Sequence, residues 1–258
     1  MAEHRPADGE LAGKVALVTG GSRGLGREIA RAYSQAGAQV VIASRKLDSC
    51  ERAAAEIAAE TGGLVVPLAA HVGHWDECAA LMDRALAATG RLDILVNNAG
   101  MSPLYEHLHE VSEELFDKTI GVNLRGPFRL GALAADHMAR ADGGSIINIS
   151  SVAAIRPTQY EIPYGAAKSG LHVVTIGLAQ EYGPAVRVNT IMAGPFLTDI
   201  SRAWDMAAFR EFAAKTPMRR GGQPDEITGA ALYFASHRSS FTTGALLCVD
   251  GGMQLVRR

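Results

Sequence analysis

Short apolar runs alternate with longer helical stretches along almost the whole chain, and no other feature restricts its fold as strongly. Residues 15–19 are followed by a helical stretch over 25–36, residues 40–43 by 47–60, and residues 64–69 by 75–89. Residues 94–96, 145–148, 187–191 and 246–249 are further strand candidates, with helical stretches between most of them. The short runs are apolar throughout rather than alternating, as in strands buried on both faces of a parallel sheet. Strand–helix alternation with right-handed crossovers predicts an α/β fold, a doubly wound parallel sheet with helices on both faces. The 258 residues suit one such domain. Residues 1–11 read as a flexible N-terminal tail and 12–258 as the domain.

The loop between the first run and the first helix reads Thr19-Gly20-Gly21-Ser22-Arg23-Gly24-Leu25-Gly26. Glycines at such a place allow a tight turn, close backbone approach to a pyrophosphate and close helix packing. The helix N-terminus adds free N–H groups and the positive end of its dipole. A glycine cluster alone is often only a turn; its position between strand and helix points to a dinucleotide.

Tyr164 and Lys168 are spaced i, i+4 and share one face of a helix. A free phenol, with a pKa of about 10, is a poor base at neutral pH. A nearby ammonium is expected to stabilise the phenolate and lower that value. Tyr164 could then give a proton to a forming alkoxide, or take one in the reverse direction.

Further elements are Asn97-Asn98-Ala99-Gly100 after the fourth strand, Asn123, Ser151, Tyr164-Gly165-Ala166-Ala167-Lys168 and Val249-Asp250-Gly251-Gly252. With this set, in this order over roughly residues 11–253, the chain resembles the short-chain dehydrogenase/reductase family in its short single-domain branch. The resemblance implies a Rossmann-like fold and hydride exchange between a nicotinamide cofactor and a carbonyl/alcohol pair. It implies catalytic roles for Asn123, Ser151, Tyr164 and Lys168. Ser151 would hold the substrate oxygen, Lys168 the nicotinamide ribose, and Asn123 a water linking Lys168 to solvent. It implies cofactor contacts from Gly20, Ser22, Arg23, Gly24, Leu25 and Gly26, from Asn98, Ala99 and Gly100, and from Tyr164 and Lys168.

The end of the second strand selects between cofactors. An NAD-dependent chain places Asp or Glu there for the ribose hydroxyls; this chain has Ser44-Arg45-Lys46. A carboxylate would repel a 2′-phosphate, whereas Arg and Lys attract it. Arg23 can approach the same group, so the expected cofactor is NADP(H). After the third strand the family usually carries Asp-Val, the Asp accepting from the adenine amino group; here the pair is His71-Val72. A neutral imidazole can accept one bond, and a protonated one only donates. Cofactor binding is therefore expected to weaken as pH falls through the His71 titration.

In residues 192–199, Pro195, Phe196 and Thr198 are expected at the nicotinamide end, the Phe196 amide and Thr198 hydroxyl toward the cofactor. Ala193 stands where the family has proline, which predicts a looser loop. Residues 199–220 are helical in pattern and carry Trp204, Met206, Phe209 and Phe212. The resemblance makes residues 196–220 a substrate lid that excludes water. Arg156, Gln159, Tyr160 and Glu161, with Pro103, Leu104 and Tyr105, are expected around the substrate.

Other classes are disfavoured. Lys plus Arg number 25 and Asp plus Glu 27, a net charge of −2, so no field attracts nucleic acid or a membrane surface. No apolar run approaches the ~20 residues of a membrane span, and the polar start predicts no signal peptide. Cys50, Cys78 and Cys248 form no CxxC pair, which predicts no metal site, and their low odd count favours a reducing compartment, the cytoplasm. The helix after Lys168 carries Gln180 and Glu181 rather than a basic patch, unlike a carrier-protein reductase. The resemblance implies a homo-oligomer, a dimer or a homotetramer. Leu130, Leu133, Met138, Leu171, Val174 and Leu178 could serve its interface or the core. The rival reading, a non-catalytic nucleotide sensor or scaffold, leaves Ser151, Tyr164 and Lys168 without a task.

Overall fold

The computed structural model describes residues 9–199, 201 and 205–256. The apolar runs become seven strands: β1 (Val15–Thr19), β2 (Gln39–Ser44), β3 (Val65–Ala69), β4 (Ile94–Asn97), β5 (Gly144–Ser151), β6 (Val186–Ala193) and β7 (Leu246–Val249). They form one sheet in the order β3-β2-β1-β4-β5-β6-β7, every pairing parallel. The helices are α1 (Gly24–Gln35), α2 (Leu47–Thr61), α3 (Trp75–Thr89), α4 (Glu113–Ile120), α5 (Gly126–Arg140), α6 (Ile162–Tyr182), α7 (Met206–Ala213) and α8 (Thr228–Ala235).

The pleat divides the strand side chains between two cores. Ala16, Val18, Val40 and Ile42 pack with Ile29 and Tyr33 of α1, Ile57 of α2 and Phe234 of α8. Val15, Leu17, Val41 and Ile146 pack with Leu81 and Met82 of α3, Leu130 and Met138 of α5 and Leu178 of α6. Burial on both faces is why these strands read as unbroken apolar runs. Leu130, Met138, Leu171 and Leu178, open between core and interface in the sequence, are core. The outward residues of this layer are Phe116, Phe128, Val173 and Ile176.

A buried polar chain ties four elements together. Asn97 donates to the Asn148 amide oxygen at 2.9 Å, and the Asn148 amide donates to the Thr175 hydroxyl at 2.8 Å. The Thr175 and Thr190 hydroxyls are 2.7 Å apart. Thr175 gives its own proton to the Leu171 carbonyl. The chain thus runs from β4 through β5 and α6 to β6. Asn148, in a glycosylation-like Asn-Ile-Ser tripeptide, is fully buried in it.

Two boundaries differ from the sequence expectation. Leu11, placed in the tail, is 1 % exposed. Its amide donates to the Ala36 carbonyl at 2.8 Å, so apolar burial draws the chain into the domain before residue 12. Among the described residues of 199–220 the α-helix is confined to α7. Asp205 caps its start, accepting from the Ala207 and Ala208 amides at 2.9 and 3.1 Å, and Pro217 lies shortly beyond its end, where a helix cannot continue. Trp204 lies outside the described residues.

Candidate active site

The strand ends at the C-terminal edge of the sheet surround a cavity of about 1200 Å³. That exceeds the ~300–1,000 Å³ of most small-molecule sites and leaves room for a dinucleotide beside a substrate. At its centre is the loop after β1. Gly20 has φ 66°, open to glycine at little cost. A Cβ on Gly26 would lie 2.4 Å from both the Gly20 carbonyl oxygen and the Asn98 amide nitrogen. α1 has no side-chain cap and no acidic residue in its first turn. Its first turn therefore offers N–H groups with no carboxylate of that turn competing for them, which fits a pyrophosphate.

On one side of the loop the wall is cationic. Arg23, Arg45 and Lys46 line it, and no described carboxylate pairs with them. Arg52 of α2 joins them, with its guanidinium 3.4 Å from the Ser49 hydroxyl. Glu56, which also lines this part, is engaged by Arg27 at 3.0 Å. Sequence reading missed Arg52; Ser49, Arg52 and Glu56 at helical spacing after Lys46 were the available signal. Ser44 also lines the wall, its hydroxyl 3.0 Å from the Cys50 sulfur.

His71 and Val72 line the same end. The Gly73 amide donates to His71 Nδ1 at 3.1 Å, and the His71 amide donates to Glu77 at 2.7 Å. The ring stacks on His74 with centroids 4.2 Å apart. Burial, then the neighbouring His74, holds the imidazole below its ordinary range. The acceptor expected of His71 is therefore already used inside its own turn.

On the other side of the loop, α6 brings Tyr164, Lys168 and His172 onto one stripe facing the end of β5. Burial pushes the Tyr164 phenol up to about 12, with a hydrogen bond to Ser151 pulling it down and the charge of Glu161 pushing it up. Burial takes the Lys168 ammonium down to about 8. Lys168 donates to the Ile149 carbonyl at 2.8 Å, and its nitrogen is 5.8 Å from the Tyr164 ring centroid. Ser150, next to Ser151, is 2.7 Å from His172 Nε2, and burial and Lys168 hold this second imidazole low. His172 was not singled out by sequence because a lone histidine on a helix carries no pattern.

Of the residues expected at the site, Gly20, Ser22, Arg23, Gly24, Leu25, Ser44, Arg45, Lys46, His71, Val72, Asn98, Ala99, Gly100, Ser151, Tyr164, Lys168, Pro195, Phe196 and Thr198 all line this cavity. Gly26 sits beneath the loop instead, and Asn123 lies behind the wall. Asn123 is fully buried in a single π-turn between α4 and α5, a distortion often found beside functional sites. Its amide donates to the Met101 and Thr119 carbonyls at 2.8 and 2.9 Å and accepts from the Met101 amide at 3.3 Å. It braces the segment after Gly100 rather than reaching into the cavity.

The substrate end is mostly apolar: Met101, Leu104, Phe209, Phe212 and Met253, with the carboxylate of Glu161 among them. Of the residues expected there, Arg156 instead donates to the Gln254 carbonyl, and the Tyr105 hydroxyl accepts from the Ile162 amide at 2.9 Å. Pro103, Gln159 and Tyr160 are not on the wall. Ala193, expected to loosen the loop, is the last residue of β6, paired with Ser151 and Val249. The Gly194 amide donates to the Val249 carbonyl at 2.9 Å. Strand pairing holds what proline would have stiffened.

Among the described residues no group of His, Cys, Asp and Glu could hold a metal ion. No helix among them is long and apolar enough to cross a membrane.

Comparison with known proteins gives the chain's family. A family model described as enoyl-(acyl carrier protein) reductase matches residues 20–254. Human dehydrogenase/reductase SDR family member 4 is 36 % identical over 245 residues, 94 % of this chain and 88 % of its own length. The crystal structure of a short-chain type dehydrogenase/reductase from Mycobacterium marinum superposes with a TM-score of 0.88 at 33 % identity, covering 94 % of this chain and 96 % of that one. That of the NADPH-dependent 3-quinuclidinone reductase from Rhodotorula rubra gives a TM-score of 0.88 at 30 % identity, covering 95 % and 92 %.

Proposed function

Since the chain belongs to the short-chain dehydrogenase/reductase family and is a pyridine-nucleotide-dependent oxidoreductase, we propose that its cofactor is NADP(H), its substrate a small carbonyl/alcohol pair, and Tyr164 its acid/base. The cofactor reading is carried by the cationic wall. Arg23, Arg45, Lys46 and Arg52 line one end of the cavity, and the β2 terminus offers no carboxylate to a ribose. A 2′-phosphate would find charge-assisted donors there, and an unphosphorylated ribose would lack its usual acceptor. The NADPH dependence of the Rhodotorula rubra relative points the same way.

Bound here, the dinucleotide supplies or accepts the hydride. The chain's own residues handle the proton and the geometry. Ser151, hydrogen-bonded to Tyr164, holds the substrate oxygen beside the phenol. Tyr164, protonated at neutral pH, gives its proton to that oxygen in reduction and takes it back in oxidation. Lys168, with its pKa near 8, exchanges protons with solvent close to neutrality and keeps a positive charge behind the phenol. Phe209 and Phe212 of the segment over the cavity exclude water from the reacting atoms. The outward residues Phe116, Phe128, Val173 and Ile176 form the contact with a second copy in a dimer or tetramer. We place the protein in the cytoplasm, in keeping with its reduced cysteines.

The deciding experiment is a fluorescence titration with NADPH and NADH on the parent and on Arg45→Asp. The parent should prefer NADPH and the variant should lose that preference. Equal or tighter binding of NADH by the parent would overturn the cofactor assignment.

A further inference from the structure

Glu161 is the last residue before α6, three positions ahead of Tyr164, and both line the cavity. About one helical turn separates them. The other acids of the wall, Glu56 and Asp199, also border a smaller groove beside Ser22, Arg23 and Arg27 at the glycine loop. Glu161 stands instead with Met101, Leu104, Phe209, Phe212 and Met253.

The turn before α6 needs an acceptor but not a charge. Glu161 Oε1 accepts from the Thr158 amide at 3.0 Å, and the side chain makes no capping bond to α6. Among the described residues no donor reaches its second oxygen, and no Lys, Arg or His pairs with it. Arg156, five residues back, donates to the Gln254 carbonyl instead. The carboxylate nevertheless acts on the reacting group: after burial, its charge is what raises the Tyr164 phenol, which opposes release of the proton that Tyr164 has to give. Glutamine would hold the Thr158 amide equally well without that effect.

A carboxylate among aromatic and aliphatic side chains suits an alkylammonium group. The carboxylate supplies the counter-charge, the ring faces attract the cation, and the apolar side chains take up the carbons around it. An anionic substrate would meet a like charge at the same place.

We propose that the substrate is an apolar ketone or alcohol that carries a cationic amine, its nitrogen held by Glu161 about one helical turn from the oxygen that Tyr164 serves. The proposal rests on the reading of Tyr164 as the acid/base and of its end of the cavity as the substrate's. A cation beside Glu161 offsets the carboxylate's effect on the phenol, so the bound substrate itself makes Tyr164 a stronger acid.

The test is steady-state reduction by NADPH of two ketones of one shape, 1,1-dimethyl-4-oxopiperidinium and 4,4-dimethylcyclohexanone, on the parent and on Glu161→Gln. The two differ only in a charged nitrogen for a carbon, and glutamine keeps an acceptor for Thr158. The parent should favour the cation in kcat/KM. The variant should lower the ratio of cation to neutral ketone by about tenfold, with the neutral ketone within about threefold of its parent value. The cation's advantage should also shrink as salt is raised, since Glu161 is half-buried rather than enclosed. A ratio unchanged in the variant, or an equal loss for both ketones, makes Glu161 a structural acceptor and overturns the proposal while the oxidoreductase reading stands. A parent that favours the neutral ketone does the same. A parent that binds NADPH and reduces neither ketone overturns the proposal and the small-carbonyl reading together.

Discussion

Lys168 lies 5.8 Å from the centre of the Tyr164 ring yet gives its proton to the Ile149 carbonyl. The sequence alone suggests an ammonium that lowers the phenol's pKa. In the folded chain burial dominates both groups and moves them in opposite senses, Tyr164 up to about 12 and Lys168 down to about 8.

The shifts fix a dependence of stability on pH. Lys168 titrates lower folded than unfolded, so its favourable contribution is complete above about 10.5 and is lost as pH falls through about 8. Relative to Lys168→Met, the parent should gain stability between those values, by on the order of 3 kcal/mol at most. Tyr164 has the reverse sign: its contribution is complete below 10 and lost as pH rises toward about 12. Urea denaturation of both proteins across pH 7 to 10.5 measures the first effect. A constant difference between them would show that burial does not shift Lys168.

Tyr164→Phe removes only the proton-transfer group. Turnover should fall by roughly 10²–10⁴-fold, with the Kd for NADPH unchanged within about twofold. Ser151→Ala should lower turnover by roughly 10²-fold, the cost of one lost donor at a developing oxyanion. Steady-state kinetics and a binding titration separate the two effects. Undiminished turnover in Tyr164→Phe would leave the acid/base role to another group.

Arg52→Ala should weaken NADPH by roughly three- to tenfold, as for loss of a charge-assisted bond at an accessible site. NADH should be unaffected. The penalty should also shrink as salt is raised. Equal weakening of both nucleotides would make Arg52 a structural residue of α2 rather than a reader of the 2′-phosphate.

Gly26→Ala should destabilise the fold, because its new carbon would enter the space of the Gly20 carbonyl and the Asn98 amide. Overpacking of this kind costs about 1–3 kcal/mol, and a thermal melt should show a lower Tm. NADPH affinity should fall with it, since the displaced loop is the pyrophosphate cradle. A variant with the parent's Tm would mean that the loop can move aside freely.

Sequence carried the strands and most of the residues that line the cavity because both are written in local signals. The runs at Val15–Thr19 and Ile94–Asn97 are buried on both faces, and Tyr164 and Lys168 meet through one turn of a single helix. What sequence missed depends on approach between distant segments. Asn123 has no local sign that its amide is spent on Met101 and Thr119. The spent acceptor of His71 depends on a glycine two residues on, but only the folded turn shows that the amide points at the ring. Arg156 and Tyr105 seemed free to face a substrate until their backbone partners, Gln254 and Ile162, were in place.

The Asn97–Asn148–Thr175–Thr190 chain bears on how the reacting groups keep their alignment. An apolar helix face sliding one turn along a sheet, about 5.4 Å, can bury nearly the same area in the new position, so burial alone distinguishes such states weakly. Directional bonds do not repeat that way: a shift of α6 along its axis would strand Asn148 and Thr190 in a dry interior. Thr175 thus acts as a locating pin, and Tyr164 and Lys168, on the same rigid rod, inherit its precision. The oily layers supply the holding force; a few amides and hydroxyls supply the vernier.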